Sequence, residues 1–385
     1  MEHIYSKKEL CSGCAACQSV CPKGAITMTE DWRGFAFPVV DQNKCVDCNR
    51  CVHVCQTQDR QPKAEEFSQE AWLGRNADES VLDVSQSGGI SAALVDTVLA
   101  EGGIVYGAAM TEDFSVRHIR ISDPAEAARL QGSKYVQSNM AGVFEQIKED
   151  LRQGNTVLFT GTPCQCDGVR RYVTLTKTPG DKLYLVDLIC HGVPPVKLWN
   201  DSLAYLEKKY KGKIEKALFR DKSRGWSSHF EAFWINGQKV TEDKFKKIYN
   251  TNACLRESCY QCPFSSLHRA GDLTIGDAWM KDRRNQKHKE TKGTSLILVN
   301  DSKGAMLFEK AKCRLDCQPT ELDEYLQPNL QHPTTTKENA AAFWREYKKF
   351  GMNYIMLVFG GDGKVNKALK ILRRYIVNAI SKSGK

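Results

Sequence analysis

The residues best suited to chemistry in this sequence are eight cysteines near the N-terminus, which stand in two groups of four. The groups are Cys11, Cys14, Cys17 and Cys21, and Cys45, Cys48, Cys51 and Cys55. Both have the spacing C-x2-C-x2-C-x3-C. Steps of three residues let successive thiolates bind one metal centre, and thiolates are the ligands that hold iron-sulfur clusters. The wider last step separates the fourth cysteine of each group from the first three.

This spacing is typical of bacterial ferredoxins with two 4Fe-4S clusters, in which the fourth cysteine of each group binds the other cluster. It predicts a cluster at site A, formed by Cys11, Cys14, Cys17 and Cys55, and a second at site B, formed by Cys21, Cys45, Cys48 and Cys51. The alternatives are zinc or a disulfide scaffold, but zinc sites usually pair two C-x2-C units across a longer gap. Gln56 stands where a proline is usual and removes no ligand.

The composition predicts a soluble, cytoplasmic protein of two or three domains. The chain has 385 residues, no basic and apolar leader at its start, and its longest apolar run, residues 354–359, is too short to span a bilayer. Thiolates that bind iron also require a reducing compartment. The net charge is +9, but residues 361–385 hold seven Lys/Arg and one Asp, which leaves only +3 for the rest. This distribution argues against a broad nucleic-acid surface.

The order of elements predicts an α+β or α/β chain, with a ferredoxin-like domain followed by a mixed α/β domain. We place the first domain at residues 1–60, the second at 61–345, and a basic amphipathic tail at 346–385. Helical periodicity at 90–100, 123–130 and 140–152 alternates with apolar strand-like runs at 104–110, 156–160 and 183–189. Paired strands are expected at 217–220 and 230–235. The tail either packs on the body or lies on an anionic membrane surface as a peripheral contact.

Four segments interrupt this pattern with residues suited to ligand binding. They contain the candidates Ser87, Gly88 and Gly89; Gly132, Ser133, Lys134, Tyr135 and Gln137; Gly161, Thr162 and Pro163, followed by Cys164; and His191, preceded by Cys190. A serine and glycines before a helix offer free amides to a phosphate, and ligands of open α/β sheets collect where strands end. Each segment taken singly is also consistent with a turn or a solvated surface. Arg220 is a further cation for an acidic ligand.

Two later segments extend the four above to a set of six motifs in a fixed order along the chain. They are residues 256–264, with Cys259 and Cys262, and residues 272–279. The order of the six segments resembles that of the coenzyme F420 hydrogenase/dehydrogenase beta subunits, a family of flavin and iron-sulfur oxidoreductases, over roughly residues 6–303. The sequence departs from the family pattern at Pro195, Ala278 and Met280, near the expected flavin pocket. The family's substrates therefore do not carry over directly to this chain.

The resemblance implies FAD in the second domain and a third 4Fe-4S cluster, here site C, on Cys164, Cys190, Cys259 and Cys262. From the residues alone, Cys254 competes for a place among these four ligands. Cys166, Cys313 and Cys317 have no partner pattern and are expected to be buried apolar positions.

These features predict an iron-sulfur flavoprotein oxidoreductase. It would pass electrons between a small-molecule redox substrate at FAD, such as a reduced deazaflavin, and ferredoxin or another redox partner protein through the clusters. The alternatives are a ferredoxin-dependent reductase of a specific organic substrate and a non-catalytic electron-transfer subunit of a larger complex. The direction of electron flow does not follow from the residues.

Overall fold

The computed structural model describes residues 4, 7–58, 67–228, 230–280, 292–336 and 339–361. The strands in these ranges are β1 Ile26–Glu30, β2 Ala36–Val40, β3 Glu70–Asn76, β4 Ile104–Met110, β5 Val116–Ile121, β6 Val157–Gly161, β7 Leu183–Leu188, β8 Ile214–Asp221, β9 Phe230–Ile235, β10 Gln238–Glu242, β11 Leu273–Asp277, β12 Ser295–Val299 and β13 Leu315–Pro319. The α-helices are α1 Ala16–Ser19, α2 Arg50–Val54, α3 Glu79–Val84, α4 Ile90–Ala100, α5 Val143–Arg152, α6 Pro163–Leu175, α7 Val196–Tyr210, α8 Lys244–Tyr249, α9 Ser302–Ala311 and α10 Ala340–Val358. Short 3-10 helices lie at Lys8–Leu10, Pro124–Leu130, Glu257–Gln261, Lys312–Arg314, Leu322–Tyr325 and Pro328–Leu330.

The N-terminal region folds as the duplicated cysteine spacing predicts. Strands β1 and β2 form an antiparallel hairpin, and α1 and α2 each carry the third cysteine of one group. The residue before each helix, Ala15 or Asn49, has a left-handed backbone with φ of 67° or 59°. The same backbone conformation at equivalent positions turns each chain segment around its own group of thiols.

The second region is built on an eight-stranded sheet in the order β13-β3-β12-β11-β7-β6-β4-β5. The central strands β11, β7, β6 and β4 are parallel, and the flanking pairs are antiparallel. The carboxyl ends of β6, β7 and β11 therefore share one edge, which carries the loops before Cys164, Cys190 and Trp279. The mixed α/β architecture expected from the alternating pattern is confirmed.

Helices cover both faces of this sheet. On one face α4 and α9 pack against Val105, Leu158 and Val186. On the other face α5 and α6 share a core with the ferredoxin-like region, because Ala16 and Val20 pack in the same cluster as Phe144 and Val169. The N-terminal region is thus held by apolar packing, and each fully buried large side chain contributes about 1.5–3 kcal/mol.

A smaller antiparallel sheet, β10-β9-β8, packs with α7, α8 and α10 around Trp199, Phe233 and Phe343. Helix α10 crosses the boundary placed at residue 345, and Tyr347 and Met356 belong to this core. The division into 1–60, 61–345 and 346–385 stays a prediction. Most of the predicted basic tail, residues 362–385, lies outside the described residues.

Most predicted elements lie within a few residues of their expected bounds, and two differ in an informative way. The helix expected from 140 begins at Val143, because Asn139 Oδ1 accepts from the Ala141 amide and Gly142 is left-handed. Residues 124–130 form a 3-10 helix capped by Asp123 rather than an α-helix. No helix in the described ranges is long and apolar enough to cross a bilayer.

Candidate functional site

The cysteines of site B line one small cavity of about 20 Å³ near the surface. Ile26 and Val40 also line this cavity, and they give it apolar walls beside the cysteines. Burial raises the pKa of the Cys51 thiol, and the nearby Cys48 and Cys21 raise it further. Cys48 itself is exposed. The structure therefore brings Cys21, from the first group, to the cysteines of the second group and leaves this site open to solvent.

The cysteines of site A gather deeper in the protein. Burial raises the pKa of Cys14 to about 11, and the neighbouring Cys55 and Cys11 add to the rise. Burial also raises the pKa of Cys17, again with contributions from Cys14, Cys11 and Cys55. Cys55, from the second group, thus lies with the first group. The positions of Cys55 and Cys21 agree with the crossed arrangement expected from the spacing, and the ligand sets of sites A and B stay a prediction.

Cys164, Cys190, Cys259 and Cys262 line a second cavity, of about 110 Å³, together with Gln56, His191 and Arg256. Burial raises the pKa of Cys190 and of Cys259 to about 12, and Cys262 adds to both effects. Cys164 has its pKa raised by burial and then by Cys190 and Cys262, while a hydrogen bond from Thr162 opposes the rise. Bound iron would reverse this balance, since a thiol that coordinates a metal is deprotonated. Among the described residues, no three His, Cys, Asp or Glu side chains are placed to hold a single metal ion. Four separate thiols would suit a cluster of several irons instead.

Cys254 does not share this cavity. It is buried, and its thiol points at the Ile248 carbonyl at 3.9 Å. Of the three cysteines expected to be buried, Cys166 is buried and Cys317 is half-buried, but the expectation was wrong for Cys313, which is exposed at the end of α9. The exposed position follows from its place in a surface 3-10 turn.

The first turn of α6 positions Cys164. Thr162 caps the helix in a reciprocal capping box with Gln165, and Pro163 occupies the first turn. The Thr162 hydroxyl lies 3.2 Å from the Cys164 sulfur. A capping box satisfies amides that the helix start leaves free, so the cysteine is held in one orientation.

Cys190 follows β7 in a loop that needs a glycine. Gly192 has φ of +127°, and a Cβ there would meet the Leu255 side chain at 2.7 Å and Cys259 Cβ at 3.2 Å. The loop of Cys190 can therefore approach the 3-10 helix of Cys259 only because residue 192 has no side chain.

A buried ion pair joins the loops that carry Cys190 and Cys262. Asp187 and Arg269 are 0% and 1% exposed at their side chains, and Arg269 donates to Asp187 at 2.8 Å. Arg269 also donates to the carbonyls of Leu188 at 3.0 Å and Phe264 at 2.6 Å. These carbonyls lie two residues from Cys190 and Cys262, so the pair sets the distance between the two cysteines.

Sites A and C are neighbours. A Cβ at Gly168, on α6, would lie 3.4 Å from the Cys14 sulfur. Gln56 donates to the Ser12 hydroxyl at 2.6 Å and to the Cys164 carbonyl at 3.3 Å. Gln56, which stands where a proline is usual, therefore connects site A with site C.

The first glycine segment has a role in sheet packing. Gly88 donates to the Ser295 hydroxyl at 3.0 Å, and Ser87 donates to the Thr294 carbonyl at 3.0 Å. A Cβ at Gly88 would lie 2.3 Å from the Gly74 carbonyl oxygen, so the glycine permits close backbone approach. Gly89, at φ +74°, is the residue directly before α4. The Gly88 amide is thus already engaged within the protein.

The second segment divides between two surroundings. Lys134 donates to the carbonyls of Leu130 and Gln131, and burial lowers its pKa to about 7. Tyr135 packs on Tyr249 and Phe219 with centroids 5.5 and 6.2 Å apart. Gln137 contacts the ferredoxin-like region instead, because its amide donates to the Ser12 carbonyl at 3.0 Å. Gly132 is left-handed, with open space where a side chain would be. Burial raises the pKa of Tyr135, and the neighbouring Ser133 side chain opposes this rise.

The remaining candidates lie at the sheet edge. Gly161 is the last residue of β6, directly before the capping residue Thr162 and the buried Pro163. His191 lines the cavity of site C, and its ring shares a hydrogen bond of 2.6 Å with Asn252 Oδ1.

Lys222 lies in a group of basic residues beside Arg220 and was not among the residues expected from the sequence. Burial lowers the pKa of Lys222 to about 8, and the positive charges of Arg220, Lys292 and Arg75 lower it further, against Asp83. Arg220 is 2% exposed and donates to Asp277 at 2.9 Å, yet its Nε has no partner among the described residues. Gln86 Oε1 is likewise buried without a partner there. The only sequence signal for Lys222 is its place just after the strand of Arg220.

Three family models match this chain. They are the 4Fe-4S dicluster domain over residues 10–58, and the N-terminal and C-terminal parts of the coenzyme F420 hydrogenase/dehydrogenase beta subunit over residues 71–145 and 154–324. The dicluster match confirms the two-cluster interpretation of the first eight cysteines.

Curated proteins and a solved structure show more distant similarity. One component of the F(420)H(2) dehydrogenase of Methanosarcina mazei is 22% identical over an alignment of 197 residues, and the match covers 47% of this chain and 53% of that protein. This chain thus spans about half the length of that relative. An uncharacterized ferredoxin of Methanocaldococcus jannaschii is 38% identical over 54 residues, 14% of this chain and 69% of the ferredoxin. A polypeptide of the F420-reducing NiFe hydrogenase complex of Methanosarcina barkeri has a TM-score of 0.48 and 19% identity, and the match covers 74% of this chain and 94% of that polypeptide.

Proposed function

This chain belongs to the family of coenzyme F420 hydrogenase/dehydrogenase beta subunits, and we propose on that basis that it is the flavin and iron-sulfur subunit of an oxidoreductase complex. In this proposal it passes electrons between a two-electron substrate at FAD and a one-electron partner. Reduced deazaflavin is the substrate we favour, since the family and its relative in Methanosarcina mazei carry that coenzyme in their names.

One observation carries the proposal: four cysteines from three separate segments line a single cavity next to site A. Thiols gathered in this way suit a third 4Fe-4S cluster on Cys164, Cys190, Cys259 and Cys262. The contact of α6 with Cys14, through Gly168, supports short steps from site C to site A. The exposed Cys48 supports site B as the place where a ferredoxin or another redox protein docks.

The described residues also fit FAD. Burial and the neighbouring positive charges lower the pKa of Lys222, and an anion such as a pyrophosphate would stabilise its charged form. Buried polar atoms without partners, Arg220 Nε and Gln86 Oε1, suit hydrogen bonds to a bound group. Ser87, Lys134, Tyr135 and the sheet-edge residues Gly161, Thr162, Pro163 and His191 complete the proposed surroundings. When bound, FAD would supply exchange between two-electron and one-electron chemistry.

Metal and flavin analysis tests the proposal. Anaerobically purified protein should contain about twelve irons, four for each cubane, and about one FAD per chain. Cys190→Ala should lower iron to about eight and keep the flavin. Cys254→Ala is the matched control, since its thiol is buried near the same segment but points away from the cavity, and it should keep about twelve. About eight irons in the unmodified protein would remove site C from the proposal.

The flavin and its donor are tested separately. Reduced deazaflavin, NADH, NADPH and reduced ferredoxin are each added anaerobically while the flavin absorbance is followed. Bleaching by reduced deazaflavin supports the proposed substrate, and bleaching by reduced ferredoxin alone would favour a ferredoxin-dependent reductase. Protein with full iron but no flavin would instead be a non-catalytic electron-transfer subunit.

A further inference from the structure

Arg256 is a buried cation between sites A and C. Arg256 is 1% exposed, and its side chain is among the largest that are fully buried in the described parts of the chain. One guanidinium nitrogen lies 3.9 Å from the sulfur of Cys11, a site A ligand. The same residue lines the cavity of site C, and its carbonyl accepts a hydrogen bond of 2.9 Å from the Cys259 amide.

All close hydrogen-bond partners of this guanidinium are uncharged oxygens or a thiol. It donates to the carbonyls of Cys11 at 2.7 Å and Ala36 at 2.6 Å, and to Gln137 Oε1 at 3.0 Å. Its carbon also lies 4.5 Å from the centre of the Phe37 ring. Along the described parts of the chain, no carboxylate is within ion-pair distance of Arg256. The adjacent Glu257 pairs with Arg33 instead.

A buried charge is costly unless an opposite charge or several hydrogen bonds compensate for it. Carbonyls compensate in part, but they leave a full positive charge in an apolar interface. A cubane held by four thiolates carries net negative charge, which increases by one when the cluster accepts an electron. The charge that balances Arg256 is therefore best supplied by the clusters on either side of it.

We propose that Arg256 is the counter-ion of the clusters at sites A and C and raises the reduction potential of both. This inference rests on the proposed function for the presence of these clusters. The physical reason is that a nearby positive charge stabilises the more negative, reduced form of each cluster over its oxidised form. Arg256 is thus a tuning residue, placed where electrons would pass from one region of the chain to the other.

Redox titration of the full chain, followed by electron paramagnetic resonance, tests the proposal. Arg256→Met removes the charge and keeps a long apolar side chain. We expect the reduction equilibrium constants of the clusters at A and C to fall at least tenfold, which is about 59 mV for one electron. The cluster at B should shift less than threefold, so it serves as an internal reference. Arg256→Lys keeps the charge and should restore the potentials to within about threefold of the original.

Arg33→Met is the matched control. Arg33 lies in the same interface and stacks on Phe35, but Asp31 and Glu257 neutralise its charge. Its loss should leave all potentials within threefold. Iron analysis comes first, so that a protein without clusters at A or C counts against the proposed function and not against Arg256.

The potentials and the cluster content of the two Arg256 variants distinguish a counter-ion from a residue that only holds the structure. A shift below tenfold in Arg256→Met, or a shift that Arg256→Lys does not reverse, would show that Arg256 only holds the two regions together. If Arg256→Met fails to retain clusters, normal cluster content in Arg256→Lys supports the counter-ion role. Equal cluster loss in both variants would overturn it, because the planar hydrogen-bonding fork and not the charge would then be required.

Discussion

Replacing Asp187 by alanine should destabilise the protein and release the iron of site C. In the native fold Asp187 accepts from Arg269 at 2.8 Å and from the amides of Ala270 and Gly271 at 3.0 and 2.8 Å. The variant leaves Arg269 as a buried cation without its carboxylate, which costs about 3–5 kcal/mol. An unfolding entropy of about 2.1 cal/mol/K per residue gives about 1.2 °C per kcal/mol for a chain of 385 residues. The melting temperature of the anaerobic protein should therefore fall by roughly 4–6 °C.

The assay combines thermal unfolding with iron analysis. Iron should fall from about twelve to about eight, because Arg269 no longer holds the loops of Cys190 and Cys262 together. Glu101→Gln is the control: it breaks the Glu101–Lys310 pair, which is 44% and 46% exposed, and should cost about 1 kcal/mol or less. The double variant Asp187→Leu with Arg269→Met should recover much of the stability, since no unpaired charge remains, but should still lack site C iron. An Asp187→Ala protein that melts within about 2 °C of the original, with full iron, would refute this reasoning.

Three further predictions concern other parts of the chain. Burial lowers the pKa of His118 to about 4, so the unfolded chain takes up a proton that the folded chain does not. The free energy of unfolding should therefore decrease by about 2 kcal/mol when the pH is lowered from 7.5 to 5. His118→Gln should flatten this pH dependence in denaturant titrations. An equally steep pH dependence in the variant would contradict the prediction. Lys222→Met should weaken FAD binding roughly 10- to 150-fold, as expected for a lost charged hydrogen bond of about 1.5–3 kcal/mol. Lys239→Met, which breaks a pair with Asp221 on the same small sheet, should leave FAD binding unchanged. Equal flavin content in the two variants would place FAD elsewhere. For the basic tail we expect the full chain and a chain ending at Gly363 to sediment equally with anionic vesicles, because amphipathic helices usually cover a core; salt-sensitive excess sedimentation of the full chain would show membrane binding.

The structure also changes how the first glycine segment is tested. Gly88→Val is the obvious variant to block a phosphate, but a Cβ there meets the Gly74 carbonyl at 2.3 Å and the Ser295 amide nitrogen at 2.7 Å. Such a variant would disturb the packing of β3 against β12 whether or not a flavin binds. Lys222→Met adds no atom to the contact between β3 and β12. It removes the charge together with the donations of the Lys222 ammonium to the carbonyls of Leu82 and Ser85, both at 2.7 Å, so the melting temperature is measured beside the flavin content.

The sequence by itself determined the chemistry of the N-terminal region. Ligands three residues apart converge on one centre through local backbone geometry, so the spacing alone predicted clusters and the crossing of Cys21 and Cys55 between the two groups. The alternation of helices and strands likewise indicated the α/β sheet, because burial on both faces leaves a periodic pattern. The order of the segments identified the family, through residues that lie close together within each motif.

Only the tertiary structure decided which distant residues meet. Cys164 and Cys190 follow β6 and β7, whose parallel pairing brings their carboxyl ends to one edge, while Cys259 reaches them because Gly192 permits close approach. Cys254 is just five residues from Cys259, yet its thiol turns toward Ile248. Arg256 carried no sequence signal of its position against Cys11, since a contact across 245 positions depends on how the two regions dock. Spacing governs contacts within a turn of chain, and long-range contacts depend on the packing of the whole sheet.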